Sequence, residues 1–266
     1  MKTITLFLSL LLSSVSFAQV GIGTTTPDNS AALDVESTNK GLLPPRMTEA
    51  ERDAISAPAT GLMIYCTDCG NKGEAQVYSV DEWTNMMGGA AAEAPQVGDF
   101  RDGGVVFYVA PTPTDLDGDG NDDIGLVCAF ADQNTGIQWF NGSNTTTGAT
   151  AIATGTGAAN TATIIASQGL GGYAASVCDN FSLGIGGTTY TDWFLPSKDE
   201  LNLMYQNKAT IDATATSNGG SSFGSASYWS STEYNIGYAW YQYFGSGYQS
   251  AYGKGSPFNV RAVRAF

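Results

Sequence analysis

The segment at residues 115–123 carries the side chains that a calcium ion would need. It reads DLDGDGNDD, and its candidate ligands are Asp115, Asp117, Asp119, Asn121 and Asp123. Oxygen donors at alternate positions, with a glycine where the loop must turn, are typical of calcium loops. Leu126 stands where such a loop would place its last, bidentate glutamate. We therefore expect a Ca²⁺ site completed by a backbone carbonyl or another carboxylate, and the alternative is a solvated acidic turn.

Four cysteines provide a second kind of chemistry. Cys66 and Cys69 form a C-x-x-C pair, which could be a redox pair, half of a zinc site or a small disulfide. No βαβ pattern flanks the pair, and a zinc site needs four ligands. Export to an oxidising compartment favours a disulfide. Cys128 and Cys178 are then the natural second pair, although four cysteines allow three connectivities.

The composition excludes several classes of function. None of the 266 residues is histidine, so a histidine general base, a Ser-His-Asp triad and a histidine metal ligand are all absent. Eleven basic against 25 acidic residues give a net charge of -14, which disfavours nucleic acid and anionic membrane surfaces as partners. We expect that the protein is not an enzyme. The enzymatic alternative is a glycosidase that uses two carboxylates and no histidine.

The first 18 residues have the features of a signal peptide. Lys2 precedes an apolar run at residues 4–12, and small residues flank Phe17 at the expected cleavage site. No later apolar run is long enough to cross a bilayer. The sequence therefore predicts a protein that is secreted or held at the cell surface, with no membrane span.

Composition divides the rest of the chain into a module at residues 19–89, a linker at 90–96 and a domain at 97–266. In the module, Thr48 and Glu51 form a capping-box pattern that predicts a helix at 48–55. Short strands are expected at 61–65 and 76–78. These elements supply few apolar residues, so the module is expected to need a partner for its stability.

Four motifs of the module carry a family resemblance. They are VGIGTTTP at 20–27, ALDV at 32–35, KGLLPPRM at 40–47 and GLMIY at 61–65. The segment resembles the N-terminal repeat of exported Bacteroidetes-type surface proteins and phage tail-fibre-like proteins. The resemblance implies a small β-rich stalk or attachment module and a homotrimer.

The order of elements in residues 97–266 predicts an α+β domain. Strands are expected at 104–109, 124–129, 228–232, 239–244 and 259–266. A helical spacing spans 160–179, interrupted by glycines at 169–172, and a second helix follows its N-cap at Ser197, with Glu200 three residues later. Two helices packed on an antiparallel sheet fit this order.

Five motifs of this domain are similar to the C-terminal domain of the Legionella collagen-like adhesin family. They are GGVVFY at 103–108, GLVCA at 125–129, TDWFLPSKDEL at 191–201, YWSSTEY at 228–234 and VRAVR at 260–264. The resemblance implies a C-type-lectin-like fold, frequent trimerisation and adhesion or glycan binding. The adhesin engages sulfated polysaccharides, which calls for a basic face. Residues 97–266 hold six basic and 14 acidic residues, so we expect weak binding of sulfated polyanions.

Aromatic residues concentrate near the C-terminus and suggest a contact surface for neutral sugars. Strand alternation places Tyr241 and Tyr243 on one face, and Trp240, Gln242 and Phe244 on the other. We expect Trp229, Trp240 and Phe244 in the core. The candidate glycan-binding residues are Tyr241, Tyr243, Tyr248, Tyr252, Gln242 and Gln249. For the four tyrosines, a plain surface role is the open alternative.

Together these features predict an exported binding or adhesion protein that recognises glycans through residues 97–266. A structural envelope or fibre subunit without a ligand is the alternative class. One of Arg261 and Arg264 is expected to pair with a buried carboxylate such as Asp192 or Glu233, because the two arginines lie on opposite faces of a strand.

Overall fold

The structure is a computed structural model that describes residues 19–70 and 72–266; the predicted signal peptide lies outside the described residues. It is rich in β-structure, with few helices. The N-terminal module holds the strands and helix β1 (Val20–Ile22), β2 (Leu33–Val35), β3 (Arg46–Met47), α1 (Glu49–Asp53), β4 (Met63–Cys66), β5 (Glu74–Ser79) and β6 (Glu82–Asn85).

The module has two small sheets. Strands β1 and β2 pair in parallel, and β3, β4, β5 and β6 form a four-stranded sheet in that order. The predicted capping box is confirmed, since Thr48 Oγ1 accepts from Glu51 N and the Glu51 carboxylate accepts from Thr48 N. The core is as thin as the sequence suggests: its buried members are Ile64, Cys66 and Cys69.

Residues 97–266 contain eleven strands and four helical segments, and the structure describes this whole range. In chain order they are β7 (Phe100–Arg101), β8 (Gly104–Thr114), β9 (Asp123–Cys128), β10 (Asn134–Ile137), α2 (Gly157–Gln168), α3 (Ala174–Asp179), β11 (Leu183–Ile185), β12 (Thr188–Tyr190), α4 (Lys198–Gln206), α5 (Lys208–Ser217), β13 (Ser227–Asn235), β14 (Tyr238–Tyr243), β15 (Tyr248–Gly253), β16 (Phe258–Val260) and β17 (Val263–Ala265).

The sequence predicted two helices in this domain, and the structure has four. The first region breaks at Gly169, whose φ of 73° ends α2, and the second breaks at Asn207 between α4 and α5. A glycine past the last helical turn is a common helix stop, because it takes a positive φ without steric cost.

Two main sheets organise the domain. One has the order β17-β9-β8-β7, and the other has the order β10-β16-β13-β14-β15. The first sheet is antiparallel, but β13 and β16 pair in parallel within the second. The prediction of a single antiparallel sheet is therefore wrong in two respects: the domain has two main sheets, and β13 and β16 are parallel because the chain returns to β13 after the β14–β15 hairpin.

Two apolar clusters fill the domain, and neighbouring strand residues contribute to different clusters. Val127 and Trp229 belong to the first cluster, while their neighbours Cys128 and Tyr228 belong to the second. Successive side chains of a strand point to opposite faces, so each sheet face packs its own set of residues.

One of the two predicted disulfides is present in the structure. Cys66 and Cys69 are disulfide-bonded, as predicted. The predicted Cys128–Cys178 disulfide is wrong, since both thiols are free and fully buried. Cys128 faces the second apolar cluster and Cys178 the first, so their side chains lie in separate cores.

Three ion pairs hold the strands near the C-terminus. Arg264 makes a two-pronged contact with Asp192, with Nε–Oδ1 and Nη2–Oδ2 distances of 2.7 Å. The partner is one of the two expected, but its side chain is 48% exposed and not buried as predicted. Arg261 is fully buried, and its Nε donates to Asp132 Oδ1 at 2.7 Å. Glu233, the other expected partner of an arginine, pairs instead with Lys254.

Candidate functional site

The acidic loop forms the tip of the β8–β9 hairpin and brings three carboxylates together. Oxygens of Asp115, Asp117 and Asp123 lie within 4.8 Å of one another. Asp115 accepts from the N–H groups of Gly118 and Gly120, and Asp123 accepts from Leu116 N at 2.8 Å. Gly118 and Gly120 have φ values of 86° and 89°, which glycine adopts readily. The backbone therefore turns the three carboxylates toward a common centre.

The other two candidate ligands point elsewhere. Asn121 donates to both carboxylate oxygens of Asp119, from its backbone N at 2.7 Å and from Nδ2 at 3.0 Å. Burial, followed by repulsion from Asp117, Asp119 and Asp115, raises the pKa of Asp123 to about 6. A bound cation would relieve that repulsion, and Asp115, Asp117 and Asp123 are the residues placed to hold it.

The predicted tyrosine surface is present on one face of the β14–β15 hairpin. Tyr243 and Tyr248 are direct cross-strand partners, and Tyr252 lies farther along the same face. These three side chains are 38%, 61% and 52% exposed. Tyr241 is only partly exposed, because its ring packs 5.0 Å from that of Phe258. Three of the four tyrosines can therefore contact a ligand, while Tyr241 anchors them to the core.

The two glutamines do not belong to that surface. Gln242 is fully buried, and its Nε2 donates to Asn202 Oδ1 at 2.9 Å. Gln249 donates to Gln242 Oε1 at 3.2 Å and to Lys198 O at 2.9 Å. Their assignment as glycan ligands is corrected here: they lie on the opposite sheet face, where their amides join the hairpin to the start of α4.

The core assignment holds for two of the three predicted aromatic residues. Trp229 and Phe244 are buried, but Trp240 is partly exposed beside Tyr234 and Tyr238. Helix α4 packs on the Gln242 end of this sheet face, whereas the Trp240 ring stays partly exposed beneath the Lys198 side chain. Alternation predicts the face on which a residue lies, but it gives no information about how far a helix covers that face.

Glu200 is fully buried, and its contacts are structural. Glu200 Oε1 accepts from the N–H groups of Gly155, Thr156 and Gly157, and its Oε2 accepts from Ser197 N at 2.8 Å. Burial raises the pKa of Glu200 to about 7, and the four hydrogen bonds act in the opposite direction. One carboxylate thus caps two helices, α2 and α4, and has no surface open to a substrate.

Two family models match different parts of the chain. Residues 21–99 match the model of a phage tail-like trimerisation region. Residues 129–264, just over half of the chain, match the model of the Lcl C-terminal domain. The chain belongs to the Lcl C-terminal domain family. No curated protein matches it.

One solved structure has a partial likeness to the chain. It is a fimbrial protein from Bacteroides ovatus, with a TM-score of 0.37 and 13% sequence identity. The alignment covers 73% of this chain and 57% of the fimbrial protein, so this chain spans less than two thirds of that protein. Among residues 19–70 and 72–266, no helix is both long and apolar enough to cross a membrane.

Proposed function

We propose that this protein is an exported bacterial adhesin, secreted or held at the cell surface, whose C-type-lectin-like C-terminal domain binds glycans from a trimeric stalk. Its membership of the Lcl C-terminal domain family supports the adhesive role. The observation that carries the proposal is the surface formed by Tyr243, Tyr248 and Tyr252 on a hydrogen-bonded hairpin.

The stalk proposal rests on an uncovered apolar face in the N-terminal module. Val20 pairs with Leu33 and Ile22 pairs with Val35, so the four side chains share one face of the β1–β2 sheet. Their exposures are 54%, 52%, 54% and 41%. Two strands of three residues are too few to be stable alone. The match to a trimerisation region favours further copies of this chain as the cover.

Neutral sugars suit the tyrosine surface better than charged ones. The C–H faces of a sugar ring pack against exposed aromatic rings, and each such contact contributes on the order of 1 kcal/mol. The net charge of -14 disfavours sulfated ligands. A single site would be weak, and three copies on one stalk would raise the avidity without any new contact.

Substitution of Tyr243 and Tyr248 tests the proposed glycan surface. The Tyr243→Ala, Tyr248→Ala double variant is expected to lower binding of residues 19–266 to a neutral glycan array by about tenfold, because both exposed rings are lost. The Tyr243→Phe, Tyr248→Phe control keeps both rings and should retain binding. Absence of binding by the unaltered chain would support a structural fibre subunit, and turnover of the glycan would support an enzyme.

We also propose that Asp115, Asp117 and Asp123 bind Ca²⁺ and that the ion stabilises the β8–β9 hairpin. Millimolar Ca²⁺ is expected to raise the melting temperature by roughly 2–4 °C for each kcal/mol of binding free energy. Differential scanning calorimetry with calcium and with chelator measures the shift. Asp117→Asn should abolish the shift, whereas Asp199→Asn, on α4, should leave it intact. Equal melting temperatures with calcium and with chelator would refute the site.

A further inference from the structure

The face of the β14–β15 hairpin opposite the tyrosine surface carries a pocket of ≈ 330 Å³. Its lining residues are Tyr234, Asn235, Tyr238, Trp240, Ser250 and Ala251. We propose that this Trp240 pocket binds a single neutral sugar residue. The inference rests on the proposed glycan-binding function and adds a second sugar contact, on the face of the hairpin opposite Tyr243 and Tyr248.

The pocket is open because the facing strand contributes small residues. Ala251 is the cross-strand partner of Trp240, and Gly253 is the partner of Tyr238. A Cβ atom added at Gly253 would have no atom within 4 Å. A large side chain at either position would lie against the aromatic rings, so the choice of Ala and Gly leaves the rings uncovered.

The aromatic walls are held in place from two sides. The rings of Tyr234 and Trp240 pack edge to face with their centroids 5.7 Å apart. The Lys198 ammonium lies 5.0 Å from the centroid of the Trp240 ring, which is a cation–π contact. Tyr234 and Tyr238 are 58% and 49% exposed. The pocket therefore combines a fixed indole with two accessible rings, and its volume falls within the range of small-molecule sites.

Polar groups at the rim favour a hydroxylated, uncharged ligand. Asn235 Oδ1 accepts from Gly237 N at 2.9 Å and from Tyr238 N at 3.0 Å, which orients the amide and leaves Nδ2 to donate to a sugar hydroxyl. Lys198 has Asp199 3.6 Å away, so its charge is largely balanced and gives little preference for an acidic sugar.

Two variants test the inference, one that adds a large side chain beside the pocket rings and one that removes the indole. The probes are methyl glycosides of neutral hexoses and N-acetylhexosamines, with methyl glucuronide as the acidic comparison, measured by saturation-transfer NMR on residues 19–266. Gly253→Leu and Trp240→Ala are each expected to weaken binding of the neutral glycosides about tenfold. Leu170→Ala, at an exposed position between α2 and α3, should change it less than twofold.

The outcomes separate this inference from the proposed function. The pocket assignment is overturned if neutral glycosides still bind to Gly253→Leu, or if they do not bind to the unaltered chain. Loss of array binding in the Tyr243→Ala, Tyr248→Ala variant would still support the proposed adhesin. Stronger binding of methyl glucuronide overturns the neutral assignment. If Gly253→Leu lowers the melting temperature, Tyr238→Ala replaces it, because that variant removes a half-exposed ring outside both cores.

Discussion

Replacing Lys254 with methionine is expected to lower the free energy of unfolding by about 3–5 kcal/mol, because it leaves the Glu233 carboxylate buried without a counter-ion. Both side chains of this pair are only 1% exposed. Removing one partner of such a pair costs far more than the pair itself contributes, since the remaining charge has neither water nor an opposite charge near it.

Loss of the other Lys254 contacts adds to the expected effect, whereas the backbone contacts of the Glu233 carboxylate remain. Glu233 also accepts hydrogen bonds from Thr147 N at 2.9 Å and Gly148 N at 3.0 Å, and Lys254 Nζ donates to Thr145 O at 3.0 Å. The ammonium lies 4.5 Å from the centroid of the Trp139 ring. The pair therefore ties the loop at 145–148 to the second sheet and to the first apolar cluster.

Denaturant unfolding near neutral pH measures this effect, and Lys208→Met is the matched control. Lys208 pairs with Asp212 one helical turn away, and both side chains are partly exposed, so its loss should cost less than about 1 kcal/mol. The double variant Glu233→Gln, Lys254→Met should recover part of the stability. If Lys254→Met cost no more than Lys208→Met, Glu233 would not depend on its partner.

The same pair predicts a pH dependence. Burial acts to raise the pKa of Glu233, but the Lys254 hydrogen bond and the Thr147 and Gly148 N–H groups lower it below the usual 4.5. A carboxylate with a lowered pKa stabilises the folded state above its unfolded pKa and loses that contribution as the pH falls through its folded pKa. The contribution should therefore be complete at neutral pH and decline below about pH 4.5.

Two aspartates on the exposed face of the β1–β2 sheet are expected to convert the proposed trimer into a monomer. Ile22→Asp, Val35→Asp places two like charges at directly paired positions on the proposed interface. Three copies would then bury six carboxylates, and each uncompensated charge costs several kcal/mol. Association should fail, while the folded domain at 97–266 remains.

Light scattering coupled to size exclusion measures the result as a threefold fall in molar mass. Val80→Asp is the control, since this valine is 77% exposed in the turn between β5 and β6, away from the β1–β2 face. It should keep the mass of the unaltered protein. A mass that the double aspartate variant leaves unchanged would place the interface elsewhere on the module.

Local hydrogen-bond patterns were the most predictable part of the structure. The capping boxes at Thr48–Glu51 and Ser197–Glu200 both form, because a cap depends on residues three apart. The second role of Glu200 was not predictable: its carboxylate also binds the start of α2, some 43 residues earlier in the chain. Such a contact depends on how the helices pack and leaves no local pattern.

Strand alternation predicted the faces of β14 but not their cover. Tyr241 and Tyr243 do lie opposite Gln242 and Phe244. Whether a face is core or surface depends on the element that lies over it, and here α4 buries Gln242 but leaves Trp240 partly exposed. The disulfide predicted for Cys128 is wrong for the same reason, because the sequence does not show which of the two apolar clusters a buried strand residue will join.

The two free thiols give each apolar cluster its own chemical reporter of unfolding. Burial, the largest influence on both, raises the pKa of Cys128 to about 12 and raises that of Cys178 as well, so neither forms a reactive thiolate while the fold is closed. A thiol reagent can then label Cys178 only when the first cluster opens, and Cys128 only when the second does. Equal labelling rates at the two positions would mean that both cores open in one cooperative event, and unequal rates would identify the core that opens first.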